Sequence, residues 1–426
     1  MVGESIPLLP KSTGLPGWGF RLEQLIQFVL FVFVASLPFR HLLVIERNGF
    51  IVLLVLLAIW CVINRRVWLA RTPIDVPLLC FVLWVGITIP FASFPDYSLK
   101  EFGKLLQGLL VFYAVVFFFR GEWCQKALCY LLVAVVAFVS AFGLYQFNPE
   151  NYQGARSFLP SEVWLTTFLV MFTPLCWALA TLDHSLIPKA FVMVAGALAT
   201  GCLLITQSRA GLVALLIELW VFAWLFRKQV VWIVAGTVTG LCLLGFTFAV
   251  YIDRASPDGT QAEVRALVPF RTTTRSVEHR FDIWSFYLSE IAQHPVVGVG
   301  YGSETPRFRY PDEEASLNPG GLPIRNMGAH NIFLYMALHV GLPGLLLFLW
   351  VVVALVRQLV MCYRCASEFP SNAVLLGVAT GTIGLFVRLQ FDQMFVGTLA
   401  ILFWVLSALA VLHCRSHSQE STGQYS

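Results

Sequence analysis

The sequence predicts an all-α integral membrane protein of about twelve transmembrane helices with one long extramembrane loop that contains short helices. Three observations lead there. Of 426 residues, 58% are hydrophobic and 12% charged, with a mean hydropathy of +0.76; soluble domains carry about a quarter charged residues. Apolar runs recur from residue 22 to residue 413. The one long exception, residues 251–329, holds Arg254, Arg265, Arg271, Arg275, Arg280, Arg307, Arg309 and Arg325, ten acids and no lysine.

The first 21 residues read as a polar tail without the short apolar core of a cleavable signal peptide. Nine spans then fill residues 22–250, at about 22–39, 49–63, 73–92, 101–119, 124–144, 163–180, 188–206, 210–226 and 229–250. Three more follow the loop, at 331–357, 372–389 and 393–413, before a tail at 414–426. A helix needs about 20 residues to cross the hydrocarbon. The 331–357 run is longer, and Gly341, Pro343 and Gly344 interrupt it, so a short or re-entrant helix is expected ahead of the true span. Such breaks survive only where protein or an aqueous cavity surrounds them. Nearly all ten cysteines lie in or beside apolar runs and none lies in the long loop; Cys362 and Cys365 form a CxxC read as structural or incidental.

With an even number of spans both tails share a side, and basic residues mark the inner one. Tails inside assigns Lys11, Arg21, Arg65, Arg66, Arg71, Arg120, Lys126, Lys189, Arg227, Lys228, Arg357, Arg364 and Arg415 to the cytoplasmic segments. Only Arg40, Arg47, Lys100, Lys104, Arg156, Arg209 and Arg388 fall in short outer ones. Residues 251–329 therefore face outward. ATP and nucleotide sugars are cytoplasmic, and the chain has neither a Walker loop nor a GxGxxG entering a helix. A group donor used at the outer face must arrive already activated, and a lipid-linked donor does.

Within the loop, Arg280, Ile283, Trp284, Tyr287, Leu288 and Ile291 recur at helical spacing, and His294-Pro295 closes the run before Gly298-Val-Gly-Tyr-Gly302. That helix is expected to lie at the lipid interface or roof the bundle. Residues 303–328 read as an ordered lid or substrate-contacting loop, with a passive flexible connection as the alternative. Arginine rather than lysine is informative here, because a planar guanidinium grips phosphate or carboxylate oxygens with two prongs.

Arg209, between small residues where the seventh span meets the eighth, suits either a ligand or a snorkelling role. Glu218 lies nine residues deeper in an apolar helix, where a carboxylate is costly unless paired, neutral or facing a cavity; it offers polar support to packing or to a site. His330 and Asn331 open the next helix, whose entrance presents free N–H groups and a positive field. That setting favours a neutral imidazole able to accept a proton, or a helix cap.

Taken in order, Ser208-Arg-Ala-Gly211, Arg280-Phe-Asp-Ile-Trp284 with His294-Pro and Gly298-Val-Gly300, and His330-Asn-Ile-Phe-Leu334 leading to Gly341-Leu-Pro-Gly344 resemble the O-antigen ligase and polymerase superfamily. These are bacterial inner-membrane glycosyltransferases, and the resemblance runs from about residue 160 to residue 400. It implies His330 as the catalytic residue and Arg209 and Arg280 as diphosphate-binding residues. It implies an undecaprenyl pyrophosphate-linked glycan as donor and, through the ligase branch, lipid A-core oligosaccharide as acceptor. The reaction would be inverting, need no metal or other cofactor, and occur at the periplasmic face among membrane lipids, with no nucleic acid involved. Ala210 departs from the glycine many relatives carry. Arg265, Arg271, Arg275, Arg307, Arg309, Arg325 and Asn331 are second-rank candidates for substrate contact. A polymerase of the superfamily, usually with two comparable outer loops, and a lipid-linked glycan transporter are the alternatives.

Overall fold

Every expected apolar run overlaps a helix in the computed structural model, which describes residues 17–147, 155–182, 186–206, 208–255, 274–312, 323–366 and 371–423. Helices α1 (Gly17–Ser36), α2 (Leu43–Asn64), α3 (Asp75–Thr88), α4 (Pro95–Phe118), α5 (Glu122–Gln146), α6 (Glu162–Leu182), α7 (Leu186–Ile205), α8 (Arg209–Phe226) and α9 (Gln229–Ala255) precede the loop. The loop holds α10 (Thr274–Gln293) and the short α11 (Thr305–Arg309); α12 (Ile332–Cys365), α13 (Ser371–Arg388) and α14 (Gly397–Gly423) follow. The protein is thus all-α and multi-pass. Among the described residues, nine helices are long and apolar enough to cross a membrane; α1, α3 and α9 fall outside that set, so twelve crossings remain an expectation. Arg265 and Arg271 lie outside the described residues, as does the side chain of Arg275.

The bundle closes around α13, which packs against α6, α8, α12 and α14. Glycines permit this. A Cβ on Gly377 would meet the Leu175 Cα at 2.5 Å, and one on Gly381 would meet the Met171 carbonyl oxygen at 2.5 Å. This is a GxxxG face, and in lipid, where no hydrophobic force pulls helices together, such backbone approach supplies the contact. At the opposite end from the long loop, Cys362 of α12 is bonded to Cys414 of α14, not to Cys365.

The expected interruption of α12 occurs at Gly341, with φ 73° and ψ 174°. This region of backbone space is essentially reserved for glycine. The break frees main-chain groups that lipid could not satisfy, and loop and bundle satisfy them. The Leu338 oxygen accepts from Val299 N (2.9 Å), the His339 oxygen from Gly300 N (3.1 Å), and Leu342 N donates to the Pro295 oxygen (2.8 Å). The Val340 oxygen accepts from Trp84 Nε1 at 2.8 Å. Residues 295–300 therefore plug into the broken helix. A Cβ on Gly341 would meet the Val296 oxygen at 1.8 Å. Gly341→Ala is expected to lower stability by about 1–3 kcal/mol from backbone strain alone, with the clash adding to it. The check is thermal unfolding of the purified protein against Gly103→Ala, where nothing lies within 4 Å of the added carbon.

Helix α10 roofs the bundle by packing on α12. Ile283, Tyr287, Glu290 and Ile291 are buried, whereas Leu288 is 57% exposed. At about 100° per residue, Leu288 lies about 140° around the helix from Ile283, past the buried arc that runs from Glu290 through Ile283 and Tyr287 to Ile291. The boundary at His330 also shifts: the first helical residue is Ile332, with Asn331 as its cap.

Candidate active site

Four elements carry the charged side chains of the candidate site. Arg209 is the first residue of α8, whose start is fixed by Ser208 Oγ accepting from Gly211 N at 3.2 Å. Arg280 lies on α10, which is tied to the approaching chain by Trp284 Nε1 donating to the Ala329 oxygen (2.9 Å) and the Tyr287 hydroxyl donating to the Met327 oxygen (3.0 Å). His279 Nε2 lies 2.6 Å from the Pro323 oxygen. His330 follows directly, and Arg388 ends α13.

The electrostatics join these groups. Burial lowers the pKa of the Arg280 guanidinium; Asp392 opposes the shift and Arg209 adds to it. Arg209 and Arg280, far apart in sequence, are thus close enough to feel each other. His330 is half-buried, and that burial is the main reason its pKa lies below the ordinary imidazole value. Asp392 pulls the other way, while Arg280, His279 and Arg388 reinforce the lowering. A neutral imidazole beside cations is the state that can accept a proton.

Arg388 and Asp392 were not among the sequence candidates. Arg388 is only 3% exposed, and its Nη2 donates to Asp392 Oδ2 at 3.2 Å. Its Nε has no hydrogen-bond partner among the described residues, which leaves a buried donor available. The sequence signal was an arginine ending an apolar run with an aspartate four residues on; counting Arg388 as a cation of a short outer segment hid it.

The second-rank candidates are placed differently. Asn331 caps α12, its Oδ1 accepting from Phe333 N (2.9 Å) and Leu334 N (3.1 Å), while its Nδ2 donates to the Gln390 oxygen (3.2 Å). Arg309 donates to Ser93 Oγ (2.8 Å) and the Tyr310 hydroxyl (3.2 Å), and its Nη2 lies 3.0 Å from His294 Nε2 and 3.6 Å from Glu290 Oε2. That guanidinium fastens α11 to α10 and to the turn before α4. Arg307 pairs with Glu304 at 3.7 Å in the open, a contact worth little. Arg325 is exposed. Glu218 is wholly buried deeper in α8, both oxygens without a hydrogen-bond partner among the described residues. It packs where a side chain on Gly384 of α13 would otherwise stand. Among the described residues no three His, Cys, Asp or Glu side chains gather as metal ligands would.

Three guanidinium groups, one carboxylate and a neutral imidazole can hold a polyanion of about two charges and take a proton beside it. A family model described as O-antigen ligase matches residues 194–349. The match includes Arg209, Arg280 and His330 and ends before Arg388 and Asp392. No curated protein matches the chain.

Proposed function

We infer, from this chain's membership of the O-antigen ligase family, that it transfers a glycan from undecaprenyl pyrophosphate to a sugar hydroxyl of lipid A-core. The observation that supports the reading is electrostatic: among the described residues Arg280, Arg388 and Asp392 act on His330, and Arg209 and Asp392 act on Arg280. One carboxylate against three guanidiniums leaves a net charge of +2, which suits a lipid-linked diphosphate diester.

The acceptor oxygen attacks the anomeric carbon from the face opposite the diphosphate. The new carbon–oxygen bond forms as the carbon–oxygen bond to phosphate breaks, its electron pair leaves with the lipid diphosphate, and the anomeric centre inverts. The acceptor proton passes to the imidazole of His330. The lipid diphosphate is already a good leaving group, so the protein's main tasks are positioning and charge stabilisation. The arginines do the second without a metal. The basic-residue bias of the short segments puts this site on the periplasmic side of the inner membrane, where the 251–329 segment contacts substrate.

The test is reconstitution of the purified protein with an undecaprenyl-diphosphate-linked glycan and lipid A-core, followed by mass measurement of the acceptor. The expected result is lipid A-core heavier by one glycan. Glycan chains lengthened on the lipid diphosphate would show a polymerase instead, and movement of unaltered donor between leaflets without transfer would show a transporter.

A further inference from the structure

His330 has φ 47°, a left-handed conformation uncommon for a residue with a side chain. Such a conformation persists only where the surroundings over-determine it. The surroundings here are the short connection between α13 and α14. His330 N donates to Gln393 Oε1 at 3.1 Å. On the next two residues, Asn331 Nδ2 donates to the Gln390 oxygen and Ile332 N to the Leu389 oxygen at 2.9 Å. The Gln393 amide also fills the space beside Gly328, where a Cβ would stand 1.6 Å from Nε2. It therefore braces the chain on both sides of Ala329.

The same glutamine is anchored to the arginine cluster. Gln393 N donates to Asp392 Oδ1 at 2.7 Å, and the other oxygen of that carboxylate accepts from Arg388 Nη2. A continuous path of hydrogen bonds runs from a buried guanidinium through Asp392 and Gln393 to the backbone of His330. We propose that Gln393 is a positioning residue for the transfer reaction: it holds His330 in its left-handed conformation and fixes the imidazole relative to Arg388. Gln393 acts through His330 and touches no reacting atom. The proposal rests on the reading that His330 takes the acceptor proton.

The charged and titratable groups that face His330 are Arg280 and His279 from α10, Arg388 from α13 and Asp392 from the connection. A carboxylate in place of the Gln393 amide would join Asp392 in favouring imidazolium. Two substitutions separate positioning from simple bracing. Gln393→Glu keeps an oxygen to accept the His330 N–H and brings a negative charge to the backbone of His330; Gln393→Leu removes the acceptor.

The experiment uses the full chain in phosphatidylethanolamine/phosphatidylglycerol nanodiscs with ring-labelled histidine, the His330 signal being identified by its absence in His330→Gln. For Gln393→Glu, the His330 titration is expected to move to higher pH and the acid limb of single-turnover transfer to move with it, the maximal rate staying within about threefold. For Gln393→Leu, transfer from saturating lipid-linked donor is expected to fall roughly 10- to 100-fold with donor affinity unchanged, as misplacement of a catalytic group does. An unmoved His330 titration in Gln393→Glu overturns the proposal, whatever the rates. So does a wild-type transfer rate in Gln393→Leu. If the wild-type protein transfers nothing, or His330→Gln transfers at full rate, the proton-acceptor reading fails, while the titration of His330 still decides whether Gln393 governs it.

Discussion

His330→Ala is expected to leave lipid-linked donor binding nearly unchanged and to slow single-turnover transfer by about 10² to 10⁴, the usual contribution of a positioned general base. His330→Gln keeps a hydrogen-bonding group but has no effective proton acceptor, so it should be almost as slow. The pH dependence follows from the lowered pKa of this imidazole, which burial dominates and the neighbouring cations reinforce against Asp392. Only the neutral ring accepts a proton. Transfer should therefore hold as pH falls through the ordinary imidazole range and decline only below it, through the lowered pKa. Near-wild-type transfer by His330→Gln, with an unaltered pH profile, would remove the base and leave the arginines and proximity as the catalytic apparatus.

The second large effect concerns the cation cluster. Lysine at Arg209 or Arg280 keeps the charge and loses the fork, so one prong of each diphosphate contact disappears. A hydrogen bond to a charged group contributes about 1.5–3 kcal/mol, which corresponds to a loss of roughly 10- to 100-fold in kcat/KM for each lysine variant. Arg388→Met should cost more than either, because it abandons Asp392 inside the protein, and a buried ion left without its partner is strongly destabilising. The measurement is steady-state transfer by folded variants, with thermal unfolding alongside. Wild-type kcat/KM in Arg209→Lys and Arg280→Lys would dissolve the proposed clamp.

The parts of the proposed site legible in the sequence are those whose chemistry is anomalous where they stand. Arg209 interrupts small residues at a span boundary, Arg280 begins a helical stripe, and His330 ends an arginine-rich loop. Each is conspicuous without knowledge of its neighbours. Arg388 was not, because an arginine closing an apolar run has the form of an ordinary interfacial anchor. Its meaning comes from burial, and that burial depends on Gly377 and Gly381 letting α13 sink against α6, a contact made across two hundred residues of chain. Asn331 and Arg309 are the reverse case. Their residue types suit a ligand, yet their donors and acceptors are engaged by backbone and side chains that pattern alone cannot place nearby. The break in α12 was legible from Gly341, Pro343 and Gly344; what fills it was not.

That filled break bears on how the protein meets membranes of different thickness. Residues 342–365 form a helical length of about 36 Å, enough by itself to cross the hydrocarbon, whereas residues 332–340 add only about 14 Å. The long piece is subject to hydrophobic matching and will tilt when the surrounding acyl chains shorten. The short piece is coupled to residues 295–300 by hydrogen bonds at Leu338 and His339, and its register follows the extramembrane layer. Gly341 thus acts as a joint between a segment that answers to lipid and one that answers to protein. The height of His330 above the bilayer midplane is set by the second.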